Sequence, residues 1–176
     1  INGKMGYREQ YLVGIANCYN RMGNFQESLN YLEKIEENKM DNKIKAGYYT
    51  SYSSNLYFLN KSLNKAEELI NKSRKLLDMP ESMLLQGLIT IELNKKDEAS
   101  QLIEQYLKKE TRKKYMFEIY TVMYIDEYTS EICENFMLGL YYKKIGEGVN
   151  AKKYFSKSAK CNYKNYFSDI SKELYK

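Results

Sequence analysis

Apolar side chains in residues 11–35 recur at the spacing of two amphipathic helices, with one Gly-Asn step between them. The repeating apolar and small positions are Leu12, Ile15, Ala16, Tyr19, Phe25, Ser28, Leu32 and Ile35. Gly23 can adopt the left-handed conformation that ends a helix, and Asn24 can cap the start of the next one. The pattern therefore predicts a helical hairpin with its turn at Gly23-Asn24.

The same arrangement of small and large residues recurs along the chain. Pairs of small residues stand twelve positions apart at Ala16 and Ser28, Ser54 and Ala66, Gly87 and Ala99, and Gly139 and Ala151. Three positions after the first small residue stand Tyr19, Tyr57, Thr90 and Tyr142, and sixteen positions after it stand Leu32, Ile70, Ile103 and Phe155. Small residues let two antiparallel helices approach closely, and the larger side chains fill the adjoining space. Four copies of one offset predict four helix pairs.

This pattern resembles the tetratricopeptide repeat (TPR), a helix-turn-helix unit, over roughly residues 9–165. The units fall at about 9–42, 47–79, 80–112 and 132–165. The first and last match well, whereas Lys61 replaces the turn glycine of the second and Thr90 replaces the tyrosine of the third. The resemblance implies an all-α fold: a right-handed superhelix, or α-solenoid, of antiparallel helix pairs in one domain over 1–176.

Two segments depart from the repeat. The step from Gly87 to Gly139 is too long for one unit, and an apolar stripe within it predicts an extra helix over 113–127. One long helix through 96–127 is the alternative. After the last unit, Tyr163, Phe167, Ile170 and Leu174 are spaced for an amphipathic helix over 164–175. Such a helix would cap the last exposed apolar face of a solenoid.

Composition supports helices and argues against catalysis. One proline and nine glycines in 176 residues are few for a strand-rich chain. The chain has no histidine, which removes the commonest general base and metal ligand. No phosphate-binding glycine motif is present either. We therefore expect a non-enzyme with no cofactor and no metal.

Charge and cysteine content bear on partners and compartment. The net charge of +5 is concentrated in residues 143–176, which hold nine lysines and three acidic residues. A solvated lysine face and a surface for nucleic acid or an acidic partner both fit this basic end. Three widely spaced cysteines suit thiols in a reducing compartment. No apolar run is long enough for a membrane span, so a cytoplasmic location without membrane contact is expected.

The TPR resemblance implies that the first helix of each pair lines a concave groove. Asn17 and Asn55 follow the first small residue of successive repeats, and an Asn amide can both donate to and accept from a peptide backbone. Arg21 can bind a carboxylate. The candidate peptide-binding residues are Asn17, Asn20, Arg21, Asn55, Tyr48, Ser51, Tyr52, Phe58, Leu84 and Leu88. Exposed polar positions in an Asn-rich chain are the alternative explanation for the two asparagines.

Paired groove asparagines also resemble those of the RRNPP group of cytoplasmic peptide-pheromone receptors. The group joins an N-terminal helix-turn-helix DNA-binding domain to a TPR array that binds a short peptide. The resemblance implies that Asn17 and Asn55 hold the peptide backbone, and that DNA is contacted only through an upstream domain absent from this chain. The chain begins with Ile1 and is interpreted as a fragment. A general protein-interaction scaffold without a small-peptide ligand is the alternative function, and the sequence leaves homodimer formation open.

Overall fold

The structure is a computed structural model that describes residues 7–108, 127–161 and 164–176. Within these ranges the chain forms nine α-helices and no strand. The helices are α1 (Tyr7–Arg21), α2 (Phe25–Leu32), α3 (Asn42–Phe58), α4 (Leu63–Leu76), α5 (Pro80–Glu92), α6 (Lys96–Lys108), α7 (Glu127–Lys144), α8 (Gly148–Ser158) and α9 (Tyr166–Leu174). The predicted helix over 113–127 lies outside the described residues except at its end, where α7 begins.

The helices pack as successive pairs, which confirms the all-α prediction and the adjacency of paired helices. The most extensive contacts join α1 to α2, α3 to α4, α5 to α6 and α7 to α8. The first helices of the pairs also contact one another in order, from α1 to α3, α3 to α5 and α5 to α7. The helix α9 packs on both α7 and α8.

All four pairs are joined by the same kind of turn. The second residue after the first helix has a positive φ in each case, at Gly23, Asn60, Asn94 and Gly146. The next amide donates to a carbonyl five residues earlier, for example from Asn24 to Tyr19 at 2.9 Å and from Lys61 to Leu56 at 2.8 Å. This is the hydrogen bond of a Schellman cap. The second pair lacks a turn glycine because Asn60, directly before Lys61, takes the left-handed conformation.

The small residues of the repeat allow close contact between paired helices in two ways. The Ser28 hydroxyl donates to the Ala16 carbonyl at 2.7 Å, and the Ser53 hydroxyl donates to the Ala66 carbonyl at 2.8 Å. In the last pair, a Cβ at Gly139 would lie 2.5 Å from two ring carbons of Phe155. The glycine therefore makes room for the large side chain that stands sixteen residues later.

The C-terminal helix also reaches the first pair. The Tyr166 ring packs edge-on against Phe25, with ring centroids 5.1 Å apart, and a Cβ at Gly23 would lie 2.4 Å from that tyrosine ring. The Asn165 side chain caps α9 by accepting from the amides of Phe167 and Ser168, at 3.0 and 3.3 Å. The end of the described chain thus lies against its first turn.

Candidate functional site

Residues from six helices converge beside the turn between α1 and α2, at a site that we call the central cluster. Its members are buried or mostly buried and come from α1, α2, α3, α5, α7 and α9. They are Arg21, Phe25, Phe58, Glu81, Cys133, Phe136 and Phe167. Each of the four helix pairs therefore contributes to one site, together with the C-terminal helix.

The charged part of the central cluster is an ion pair between the end of α1 and the first turn of α5. One terminal nitrogen of Arg21, Nη2, donates to both carboxylate oxygens of Glu81, at 3.1 and 2.9 Å. The Cys133 thiol lies 3.8 Å from Glu81 Oε1 and donates to it. Burial raises the pKa of Cys133 well above its ordinary value. The sulfur therefore stays a protonated thiol at neutral pH, which makes it a poor nucleophile.

The guanidinium of Arg21 uses only part of its hydrogen-bonding capacity. Its Nε and Nη1 atoms are buried and have no partner in hydrogen-bonding geometry among the described residues, although the Cys133 thiol interacts with the guanidinium. The guanidinium carbon lies 5.6 Å from the centroid of the Phe167 ring, a distance at which a cation–π interaction forms. Two donors of a charged side chain are thus left unsatisfied at the centre of the site, a costly arrangement inside a protein.

The predicted asparagines lie in a buried network that joins α1, α2 and α3. Asn20 donates to Asn55 Oδ1 at 2.8 Å and to Ser54 Oγ at 3.2 Å, and Asn55 donates to Ser28 Oγ at 2.6 Å. A Ser51 hydroxyl donates to Asn17 Oδ1. The Asn55 side chain has an exposed fraction of 0% and uses both ends of its amide within the protein. A peptide could reach it only if this network opened.

The predicted shared register of Asn17 and Asn55 is wrong by one residue. When the four turns are aligned on their positive-φ residues, Gly23 corresponds to Asn60. Ser53 then takes the place of Ala16, and it makes the equivalent close contact with the paired helix. Ser54, rather than Asn55, corresponds to Asn17. The twelve-residue offset misplaced the second unit because Asn60, not Lys61, takes the positive φ of its turn.

The other predicted groove residues fall into three places. Phe58 is part of the central cluster, with its ring centroid 5.4 Å from that of Phe167. Tyr48 and Tyr52 pack edge-on against each other in α3, at 5.8 Å. Leu84 and Leu88 in α5 are fully buried within the main hydrophobic core. The structure therefore brings Arg21 and Phe58 into one site, places the asparagines beside it and leaves the two leucines in the core.

The buried tyrosines of α3 predict a loss of stability in alkali. Burial, followed by a hydrogen bond to Glu37, raises the pKa of Tyr49 to about 12, and burial also raises the pKa of Tyr48 and Tyr57. The unfolded chain loses these protons near the ordinary value of 10.0, where the folded chain still holds them. The free energy of unfolding should therefore fall as pH rises from about 10 to 12.

This alkaline transition can be followed by two signals. Thermal unfolding by circular dichroism should give a melting temperature that decreases steadily above pH 10. Tyrosinate absorbance should show one group of tyrosines that ionises freely and another that ionises only as helicity is lost. Complete ionisation of every tyrosine in the still-helical protein would contradict the burial of these hydroxyls.

An exposed apolar stripe that runs along α1 to Met22 is not among the residues predicted from the sequence. Tyr7, Tyr11, Ile15 and Met22 are 65%, 58%, 40% and 46% exposed, and Cys18 lies among them. These residues follow a helical spacing of three or four, which is visible in the sequence, but the repeat pattern places Ile15 in the packing within the hairpin. A contiguous apolar face of this kind is typical of an interaction surface.

Glu81, Cys133 and Phe136 were also missed as members of a site. They belong to other repeats than Arg21, and no local pattern relates them to it. In the described ranges, no helix is long and apolar enough to cross a membrane. No group of acidic and cysteine side chains in the same ranges is arranged to hold a metal ion. No family model, curated protein or solved structure matches the chain.

Proposed function

We propose that the chain is a non-catalytic TPR-like array that binds a peptide or protein segment on the inner face of a right-handed superhelix. The central cluster is the proposed binding site. The main observation in support is that the first helices of all four pairs place Arg21, Phe58, Glu81 and Cys133 in one site. Inner helices of such a superhelix would converge in the same way.

The chemistry of the central cluster also suits a peptide. Aromatic side chains give it a large apolar surface. The unsatisfied Nε and Nη1 donors of Arg21 offer hydrogen bonds to a carbonyl or carboxylate oxygen. An apolar site with a few directed polar groups is the usual composition of a ligand-binding site. The asparagine network supports this site from α1 and α3, and a direct peptide contact by Asn17 or Asn55 stays a prediction.

The more specific proposal is the ligand-sensing part of a cytoplasmic peptide-responsive transcriptional regulator. It rests on the sequence resemblance to the RRNPP group. In this proposal, peptide binding shifts the packing of the helix pairs and so repositions a helix-turn-helix domain located upstream. DNA would be contacted by that domain and not by the residues described above.

A protein-interaction scaffold is the second candidate, and the α1 stripe favours it. Tyr7, Tyr11, Ile15 and Met22 would contact a partner protein on the surface opposite the asparagine network. In that case the central cluster would be only the packing core that holds the pairs together.

Panning a displayed random-peptide library against the full chain, followed by hydrogen-exchange mapping of the retained peptides, tests both candidates. Protection of the α1–α2 turn and of α5 would support the groove. Protection confined to the exposed face of α1 would support the scaffold and contradict the groove. Arg21→Lys keeps an ion pair with Glu81 but removes the extra donors, so it should weaken groove binding about tenfold. Arg74→Lys is the control. It changes an arginine that pairs with Asp78 outside the central cluster, and it should leave groove binding unchanged.

A further inference from the structure

The C-terminal helix fills the central cluster, and this position has a consequence for ligand binding. We propose that α9 is an internal occupant of the peptide site, and that Phe167 holds the place which an aromatic side chain of an external peptide takes when α9 is displaced. This inference rests on the proposed peptide-binding function. It specifies both the ligand chemistry and the step that must precede binding.

The first support is the aromatic socket around the Phe167 ring, formed by Phe25, Phe58 and Phe136. The ring centroids of Phe136, Phe58 and Phe25 lie 5.2, 5.4 and 6.5 Å from that of Phe167, which is fully buried. These neighbours come from α7, α3 and α2, so the walls of the socket do not depend on the backbone of α9. Aromatic contacts at these distances would accept another Phe ring equally well.

The second support is the poor polar fit of α9. Asn165 Nδ2, Ser168 Oγ and Ser171 Oγ are buried and have no hydrogen-bond partner among the described residues. Buried serines in the repeat pairs are satisfied instead: Ser73 donates to the Ala46 carbonyl and Ser158 donates to the Ile132 carbonyl, at 2.8 and 2.9 Å. Undocking α9 would return its unsatisfied groups to water, which lowers the cost of opening.

The third support is the length of α9. It has nine residues, and a helix this short is marginal in water without tertiary contacts. Its helical form therefore depends on the socket. Docking and undocking then form a two-state equilibrium that a competing ligand can shift.

The chemistry of the socket indicates what a competing ligand must carry. A tethered helix has a high effective concentration, so an external peptide needs a contact that α9 does not make. The unsatisfied Nε and Nη1 donors of Arg21, beside the ring of Phe167, supply one. The proposed ligand is a peptide with an aromatic side chain next to a carboxylate, such as a C-terminal aromatic residue.

The test compares full-length variants for binding of a labelled synthetic peptide with the sequence of residues 164–176. Phe167→Ala weakens the docking of α9 in the central cluster. This variant should therefore bind the peptide at least tenfold more tightly than the unchanged chain. Ile70→Ala, which empties a fully buried position in α4 away from the socket, should bind no better than the unchanged chain. The peptide carrying Ala in place of the phenylalanine should not compete.

A second experiment tests whether the terminal carboxylate of the ligand binds Arg21. The tetrapeptide of residues 164–167, ending in a free carboxylate, should bind the Phe167→Ala variant at least threefold more tightly than an analogue ending in phenethylamide. Adding Arg21→Lys should remove that difference. Equal affinity of the two peptides would overturn the assignment of Arg21 as the ligand contact.

Several outcomes would overturn the role of α9. A folded Phe167→Ala chain that does not bind the peptide would show that α9 is an integral cap. If circular dichroism shows that this variant is unfolded, Phe167→Leu replaces it under the same criterion. In the unchanged chain, α9 amides should exchange with solvent at least tenfold faster than those of α3, and equal rates would also contradict the proposal. The failure of the proposed function would look different. If the peptide of residues 164–176 binds but no library peptide does, α9 is displaceable and the proposed peptide-binding function is refuted.

Discussion

Gly139→Ala should lower the free energy of unfolding by about 3 kcal/mol, the upper end of the usual cost of overpacking a core. The added Cβ would lie 2.5 Å from Cδ1 and Cε1 of Phe155. The Phe155 ring is itself buried, and its centroid lies 6.0 Å from that of Phe136, so the ring has little room to move away. Urea unfolding followed by circular dichroism measures the change.

A matched substitution exists at the equivalent position of another pair. A Cβ at Gly87 would lie 2.9 Å from Cδ1 of Ile103, the mobile end of a flexible side chain. Gly87→Ala should therefore cost about 1 kcal/mol or less, partly offset by the better helix propensity of alanine. Combining Gly139→Ala with Phe155→Leu should recover part of the loss. Equal costs at Gly87 and Gly139 would contradict this account of the repeat.

Asn55→Ala should lower the free energy of unfolding by about 2–3 kcal/mol, because it removes two buried hydrogen bonds at once. The change would leave the Asn20 amide with Ser54 as its remaining partner in the network, and would take the donor away from the Ser28 hydroxyl. Asn64→Ala, at an exposed position of α4, is the control and should stay within about 0.5 kcal/mol of the unchanged protein.

The same variant separates packing from ligand binding at Asn55. If the melting temperature falls as expected, any loss of peptide affinity must be compared with that of an equally destabilised variant such as Ile70→Ala. A chain that keeps its melting temperature but loses peptide binding would instead support the peptide-clamp role of Asn55. That result would contradict the importance of the network for stability.

The helix pairs could be predicted from the sequence because the signals that define them are local. Gly23 and Gly146 mark turns at their expected places, and the spacing of Gly139 and Phe155 reports a contact within one pair. The second turn was displaced by one residue because asparagine can replace glycine at a positive φ. The twelve-residue offset between Ser54 and Ala66 therefore places Lys61 at the turn, whereas Asn60 takes the positive φ.

The candidate site could be predicted only in part, for two physical reasons. Arg21 and Glu81 belong to different repeats, and a repeat pattern carries information about contacts within a pair and not about contacts between distant pairs. The TPR resemblance, moreover, implies an open groove for Asn20 and Asn55, whereas the structure buries both. Their burial depends on mutual hydrogen bonds that no single position reveals.

The packing of α9 against the first turn also has a kinetic consequence. In an open array each repeat contacts only its neighbours, so folding can begin anywhere and spread. Here Phe25 meets Phe167 and Gly23 meets Tyr166 across nearly the whole length of the chain. Such long-range contacts raise the contact order and slow the final step of folding. During synthesis, the central cluster would stay incomplete until α9 had left the ribosome.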